Sequence, residues 1–228
     1  MSSLHHDLDQ IKLASGMARY VVIHARDPQP RVIARTVAQL REDALIAYPT
    51  DSCYALDSAT GADRIRRIRK LDDKHDFTLV CSDFAQLGQF VHLGNAAFRS
   101  IKSATPGPYT FIRTGTREVP RRLAHPKKKT VGVRIPDHPV VKAVLRELGS
   151  PLVSSTLLRP GHEEPMTDGW SIKQELDHSV DVVLDAGDCG TVERRLDAPH
   201  QRRVPEPAGR GRVGRRGSVR HDGRAGAA

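Results

Sequence analysis

No stretch of this 228-residue chain approaches the ~20 consecutive apolar residues that a membrane-spanning helix requires. The opening, Met1 to Met17, lacks the apolar core of a secretory signal, and His5, His6, Asp7 and Asp9 interrupt it. Cysteine is scarce: Cys53, Cys81 and Cys189 stand far apart, with no C-x-x-C pair and no histidine at zinc-ligand spacing. An odd, dispersed set argues against a disulfide framework and for a reducing compartment, so a cytoplasmic protein without membrane association is expected. There is no internal repeat. A single domain of this size buries roughly 70% of its unfolded surface, so neither disulfides nor metals are needed for folding, and no metal site is expected.

The formal charge of +9 is unevenly spread. From Glu193 to Ala228 there are ten Arg and four acids, a net of +6, which leaves 9 − 6 = +3 for the rest. The pI therefore says little about the body of the chain, and basicity alone does not make it a nucleic-acid binder. The same last 36 residues hold six Gly, five Ala and three Pro and no aromatic residue. Such a segment cannot bury enough apolar surface to offset its ordering entropy. Its Gly209-x-Gly211-x-x-Gly214 spacing matches a dinucleotide fingerprint, yet no strand precedes it and no helix follows. The bias is that of a GC-rich gene read out of frame; a disordered Arg/Gly arm that touches RNA is the alternative.

Between these ends, strand-like and helix-like segments alternate. Arg19 to Ala25 reads as a buried strand, and Val32, Ile33, Val37 and Leu40 follow at helical spacing. Ala44 to Ala47 is a strand closed by Pro49. Ile65, Ile68 and Leu71 mark a helix, Phe77 to Cys81 a strand, and Ser82 and Asp83 cap a short helix after it. Ala96 to Ala104 is helical and stops at Pro106-Gly107-Pro108. Tyr109 to Arg113 and Val131 to Ile135 read as strands, and Pro139 to Leu148 as a helix ended by Gly149. Leu152 to Ser155 and Val180 to Leu184 are two more strands, with a helix near Ser171 to Leu176 between them. This rhythm predicts an α/β layer architecture.

Four segments are candidates for chemistry. Ala47-Tyr-Pro-Thr-Asp-Ser-Cys-Tyr-Ala-Leu56 ends a strand in hydroxyls and free backbone N–H groups, where open α/β sheets bind ligands; an ordinary Asx/Ser turn gives the same pattern. Arg64, Arg66, Arg67, Arg69 and Lys70, with Lys74 and His75 beyond, suit phosphate, although Asp72, Asp73 and Asp76 dilute them towards a plain solvated face. Thr105-Pro-Gly-Pro-Tyr-Thr110 is a tight turn that aims Thr110 rigidly. Finally, Val131-Gly-Val-Arg-Ile-Pro136 places Arg134 inside an apolar strand, which is costly unless the cation is paired or faces a ligand.

The ordered set YPTDS, RIRKL…FTL, TPGPYTFI, VGVRIPDHP and PLVSST resembles the YrdC/YciO family from about Tyr20 to Val192. RIRKLDDKHDFTLVC, GTREVPRRL and the SST pattern are most similar to its YciO branch. The resemblance implies a single twisted mixed-sheet α/β domain, residues 17–192, with a basic concave site. It implies a nucleotide- or RNA-binding protein related to the threonylcarbamoyl-AMP synthases. These join threonine, bicarbonate and ATP, release pyrophosphate, and feed tRNA adenosine-37 modification. ATP and Mg²⁺ would be required for catalysis, and tRNA or double-stranded RNA is the implied macromolecular partner. Carried over by motif, Thr50 and Ser52 would bind threonine, while Arg69, Lys70, Thr110, Arg134, Ser155 and Thr156 would contact nucleotide or phosphate.

The chain also departs from the synthase pattern. RKLDDKHDFTL stands where K-x-R-P is usual, Leu158 replaces the asparagine of S-x-N, and Asp57 replaces a glycine after YAL. These departures favour a non-catalytic double-stranded RNA or tRNA binder as the alternative. The last strand of the pattern is expected to be missing after Val192. That marks 193–228 as a tail produced by a frameshift near Glu193. Residues 1–16 show no apolar period and read as a leader, and the resemblance implies a natural start at Met17, because family members begin just before the first strand. A chain short of the last strand and devoid of activity is the third reading.

Overall fold

Short β-branched runs close into strands and the 3.6-period segments into helices in the computed structural model, which describes residues 16–59, 62–72, 75–189 and 195–197. Along the chain these are β1 (Arg19–Val22), α1 (Pro30–Arg41), β2 (Ile46–Pro49), β3 (Tyr54–Ser58), α2 (Ala62–Arg69), β4 (Thr78–Val80), α3 (Phe84–Phe90) and α4 (Asn95–Ala104). There follow β5 (Tyr109–Thr114), β6 (Thr130–Arg134), α5 (Pro139–Leu148), β7 (Leu152–Thr156), α6 (Gly169–Leu176), β8 (Val182–Asp185) and β9 (Arg195–Asp197). The ends of the helices have local causes. Pro30 and Pro139 open α1 and α5, where a missing N–H costs nothing. Asp83 accepts from Gln86 N at 2.8 Å, Asp168 accepts from Ser171 N at 2.7 Å, and Gly149 ends α5 with φ 74°.

The strands form one mixed sheet in the order β1-β8-β2-β3-β7-β4-β6-β5-β9. The pairs β1/β8, β2/β8, β4/β6 and β5/β9 are parallel; β2/β3, β3/β7, β4/β7 and β5/β6 are antiparallel. The expected α/β class and mixed sheet are thus present. Alternate residues supply two cores. One face sets Ile46, Tyr48, Val80, Leu152, Val182 and Leu184 against Val37 and Leu40 of α1 and Val140, Val141 and Val144 of α5. The other carries Leu45, Leu56, Phe77, Leu79, Phe111, Val133 and Val153 with Ala62 and Ile65 of α2 and Ile172 of α6. Asp185, at the end of β8, receives the Tyr20 hydroxyl and, at 2.9 Å, the Tyr54 hydroxyl, which ties edge strand β1 to the middle of the sheet.

Two strands differ from the sequence reading. Pro49 does not end the local sheet: the chain turns through residues 50–53 and returns as β3, with Tyr48 opposite Ala55. Asp57 and Ser58, both buried, broke the apolar pattern that would have announced this strand. After Val192 no strand was expected, yet Arg195–Asp197 pairs with β5 in parallel, Tyr109 opposite Arg195. An unpaired edge of β5 offers a row of backbone donors and acceptors, and pairing with it asks nothing of apolar content. The leader and the rest of the tail, apart from Gly16, lie outside the described residues.

Candidate functional site

At the C-terminal ends of β4 and β6 the sheet face shared with α1 and α5 is polar. A small hollow there is lined by Tyr48, Thr50, Thr78, Arg134, Ser154 and Thr156 among others. Its geometry starts in the β2–β3 turn. Thr50 Oγ1 donates to the Cys53 carbonyl at 2.7 Å and accepts from Ser52 N and Cys53 N, both at 3.3 Å. The Ser/Thr turn anticipated as the plain alternative is therefore real, and it fixes the Ser52 hydroxyl 3.2 Å from Thr50 Oγ1. Arg134, in the last position of β6, crosses to this turn. One of its terminal nitrogens donates to Asp51 in a short ion pair and to Ser52 Oγ at 3.1 Å. Asp51 is held from its other side by Asp137 N at 3.1 Å.

The Arg134 guanidinium is only 6% exposed, and its Nε–H has no acceptor. Such a buried donor is costly to leave unmade. Gly132, two residues earlier on the same face, keeps the floor open: a Cβ there would lie 2.9 Å from Thr78 Oγ1 and 3.1 Å from Thr110 Cγ2. Thr110 and Thr78 are thereby brought to the same floor as Arg134. Beside them Tyr48 and Asp57 are fully buried. Burial first, and then the Asp57 carboxylate, hold the Tyr48 phenol well above its ordinary pKa.

The sequence-selected residues therefore divide. Thr50, Ser52, Thr110, Arg134 and Thr156 share one region of one face. Ser155 and Arg69 meet on the other: Arg69 donates to Ser155 Oγ at 2.6 Å and to the Leu158 carbonyl at 3.3 Å, and neither lines the hollow. Lys70 is exposed at the end of α2, with φ 50°. The other cations of α2 are spent locally. Arg64 binds Asp181 at 2.5 Å, and Arg66 lies 4.8 Å over the Phe77 ring and donates to the Arg122 carbonyl. Arg134 is thus the only cation among the lining residues of the hollow, and Asp51 balances it.

Sequence reasoning passed over Asp51, Thr78 and Ser154. The period-2 pleat, which puts Ser154 with Thr156 and Thr78 with Val80, was the available signal for two of them; Asp51 became visible only through its partner.

A family model described as "Telomere recombination", Sua5/YciO/YrdC, matches residues 38–194. The chain belongs to the Sua5/YciO/YrdC family. It is 43% identical to the uncharacterized protein YciO of Escherichia coli strain K12 over 178 residues, 76% of this chain and 86% of that one. The crystal structure of E. coli YciO superposes with a TM-score of 0.74 over the same shares of the two chains. The threonylcarbamoyl-AMP synthase of Chromobacterium violaceum is 33% identical over 147 residues, 62% of this chain and 76% of the synthase. At 19% identity, P. abyssi Sua5 complexed with L-threonine shares the fold, with a TM-score of 0.72 over 78% of this chain and 54% of that one.

Proposed function

We propose that this member of the Sua5/YciO/YrdC family binds a nucleotide and a small hydroxylated amino acid around Arg134, and performs the threonylcarbamoyl-AMP synthase reaction. One observation carries this reading: the buried Arg134 guanidinium, whose Nε–H has no acceptor, lines a hollow together with the hydroxyl residues Thr50, Thr78, Ser154 and Thr156. A carboxylate or phosphate oxygen satisfies that donor, and a charge-assisted hydrogen bond in a dry site is among the stronger polar contacts. Thr50 and Ser52, fixed by the turn, orient the amino acid. Thr78, Thr110 and Thr156 present hydroxyls to the nucleotide. In the reaction the carbamate oxygen of the amino acid attacks the α-phosphorus and pyrophosphate departs with its bonding electrons. This chain's part is positioning and charge stabilisation, with no covalent nucleophile. Mg²⁺ brought by the nucleotide supplies charge neutralisation at the phosphates. Among the described residues no group of three His, Cys, Asp or Glu is placed to hold a metal ion, so the nucleotide's own oxygens would be its main ligands.

The test is direct. Purified protein is given ATP, threonine and bicarbonate, and pyrophosphate is measured with and without threonine. Threonine-dependent release supports the reading; none at saturating substrate refutes the catalytic half, and calorimetric titration with a non-hydrolysable ATP analogue decides the binding half.

A second reading, RNA binding without turnover, is favoured by Asp57. This fully buried carboxylate lies two residues from Ala55 on the same face, where it repels phosphate. Salt-dependent tRNA binding without pyrophosphate release distinguishes it.

A further inference from the structure

The connection between β5 and β6 carries a charge that the hollow does not use. Between Arg117 and Lys129 the sequence holds Arg117, Arg121, Arg122, Lys127, Lys128 and Lys129 against a single acid, Glu118. All six cations are exposed, while Val119, Leu123 and His125 from the same segment are buried and pin it to the core. None of the six is ion-paired among the described residues.

The segment is also built rather than loose. His125 Nδ1 accepts from Lys127 N at 3.2 Å and Lys128 N at 3.1 Å. Lys129 N donates to the His125 carbonyl, and His125 N to the Thr130 carbonyl, at 2.9 and 2.8 Å. A single buried imidazole thus folds three consecutive lysines into one turn. Arg66 of α2 braces the other half by donating to the Arg122 carbonyl at 3.1 Å. The acids nearby are Asp63 and Asp72 of α2 and its exit, and Asp76, which accepts from Thr130 Oγ1 at 2.9 Å beside Lys129.

This surface stands at the N-terminal end of β6, whereas Arg134 is at its C-terminal end. We infer that the β5–β6 connection, braced by α2, is a docking surface for the phosphodiester backbone of a folded RNA, separate from the hollow around Arg134. Exposed, unpaired Lys and Arg on a fixed frame suit repeated phosphates by charge alone, without base reading. An anionic membrane fits less well. The exposed large apolar residues of the described chain are Met17, Val22, Phe98 and Trp170, and none lies in this segment to enter a bilayer. The inference stands whether or not the hollow is catalytic.

The test compares full-length protein with its Lys127→Ala/Lys128→Ala/Lys129→Ala variant, so that the ten Arg of the last 36 residues are common to both. An unmodified tRNA transcript is the probe, titrated over a range of salt. The triple variant is expected to bind about tenfold or more weakly near 0.1 M salt, and its log K against log salt slope to flatten by about two to three. Arg121→Glu/Arg122→Glu is expected to weaken binding likewise, and Thr156→Val to leave it unchanged. The melting temperature of each variant reports folding. The inference is overturned by no tRNA binding by the parent protein, by equal binding and slope in both basic variants while folded, or by loss with Thr156→Val alone. Tighter, lysine-dependent binding to phosphatidylserine vesicles than to tRNA overturns it in favour of a membrane. Pyrophosphate release is read separately, so failure here leaves the synthase reading untouched.

Discussion

Ser155 and Thr156 are neighbours in β7, and the pleat sends their side chains to opposite faces of the sheet. Thr156 lines the hollow with Arg134, while Ser155 is bound by Arg69 at 2.6 Å behind it. Arg69 is therefore satisfied before any ligand arrives. Arg69→Ala is expected to lower stability by about 1–3 kcal/mol through a lost charged hydrogen bond, which leaves the buried Ser155 hydroxyl only its long 3.5 Å contact with His75 Nε2. Nucleotide affinity is expected to stay unchanged. Urea unfolding and calorimetry check the two halves; a loss of affinity of about tenfold, or 1.4 kcal/mol, would instead make Arg69 a ligand contact.

Arg134 is a strut for Asp51 and Ser52, and in the proposed function it is also the receptor of the anion. Removing it strands Asp51, and breaking a nearly buried pair costs about 3–5 kcal/mol. Arg134→Ala is thus expected to fold poorly. Arg134→Lys is the informative variant, since it keeps a cation for Asp51 but has no Nε–H beside its terminal donors. Its affinity for a non-hydrolysable ATP analogue is expected to fall about tenfold or more by calorimetry, with a smaller loss in melting temperature.

Much of this arrangement was legible in the sequence, for physical reasons that differ by element. Helix α5 could be read at both ends, because Pro139 and Gly149 act through their own backbone. The β4, β5 and β6 strands could be read from β-branched and aromatic runs. Strand β3 could not, because its centre holds a buried Asp57 that only tertiary surroundings accommodate. Arg134 stood out as an expensive residue in an apolar strand, yet its partner Asp51 lies 83 positions away, and no spacing rule reaches that far. The basic helix left a phosphate site and a plain solvated face equally open, for the opposite reason. Its cations are genuine, but Asp181, Ser155 and the Phe77 ring, all remote in sequence, had already engaged three of them.

The cysteines bear on handling and on redox behaviour. Burial pushes the Cys81 thiol up to about 12, and it does the same to Cys189. The thiolate is the nucleophile, so at pH 8 both are expected to resist iodoacetamide in the folded protein and to react once it is unfolded. Mass spectrometry of labelled peptides, with and without urea, checks this.

His138 follows Asp137, and its Nδ1 is buried without a partner. Burial lowers its pKa from the ordinary 6.5, against the opposing pull of Asp51 and Asp137. The unfolded chain therefore binds the proton first as pH falls. Stability from this site is complete above 6.5 and declines below it, down to the lowered folded value. His138→Gln is expected to flatten the decline as pH falls below 6.5, relative to the parent. Urea midpoints across that range measure the difference, which removes the titration of carboxylates common to both proteins.

Asp57 bears directly on the anion binding proposed for the hollow. It is fully buried in β3, beside Tyr48, on the face that Ala55 and Arg134 present to the hollow. A carboxylate on that face works against the binding of an anion by the guanidinium. Asp57→Asn keeps shape and hydrogen-bonding capacity while removing the charge. It is expected to raise affinity for a non-hydrolysable ATP analogue by roughly tenfold, the effect of one unit charge several ångströms away at moderate dielectric. Affinity for a tRNA transcript is expected to stay level, because the basic β5–β6 connection lies at the other end of β6. Parallel calorimetry with both ligands reads the two sites independently. An unchanged or weaker nucleotide affinity in a folded variant would mean that no phosphate comes near β3, and would move the anion on Arg134 to the side of the turn at Ser52.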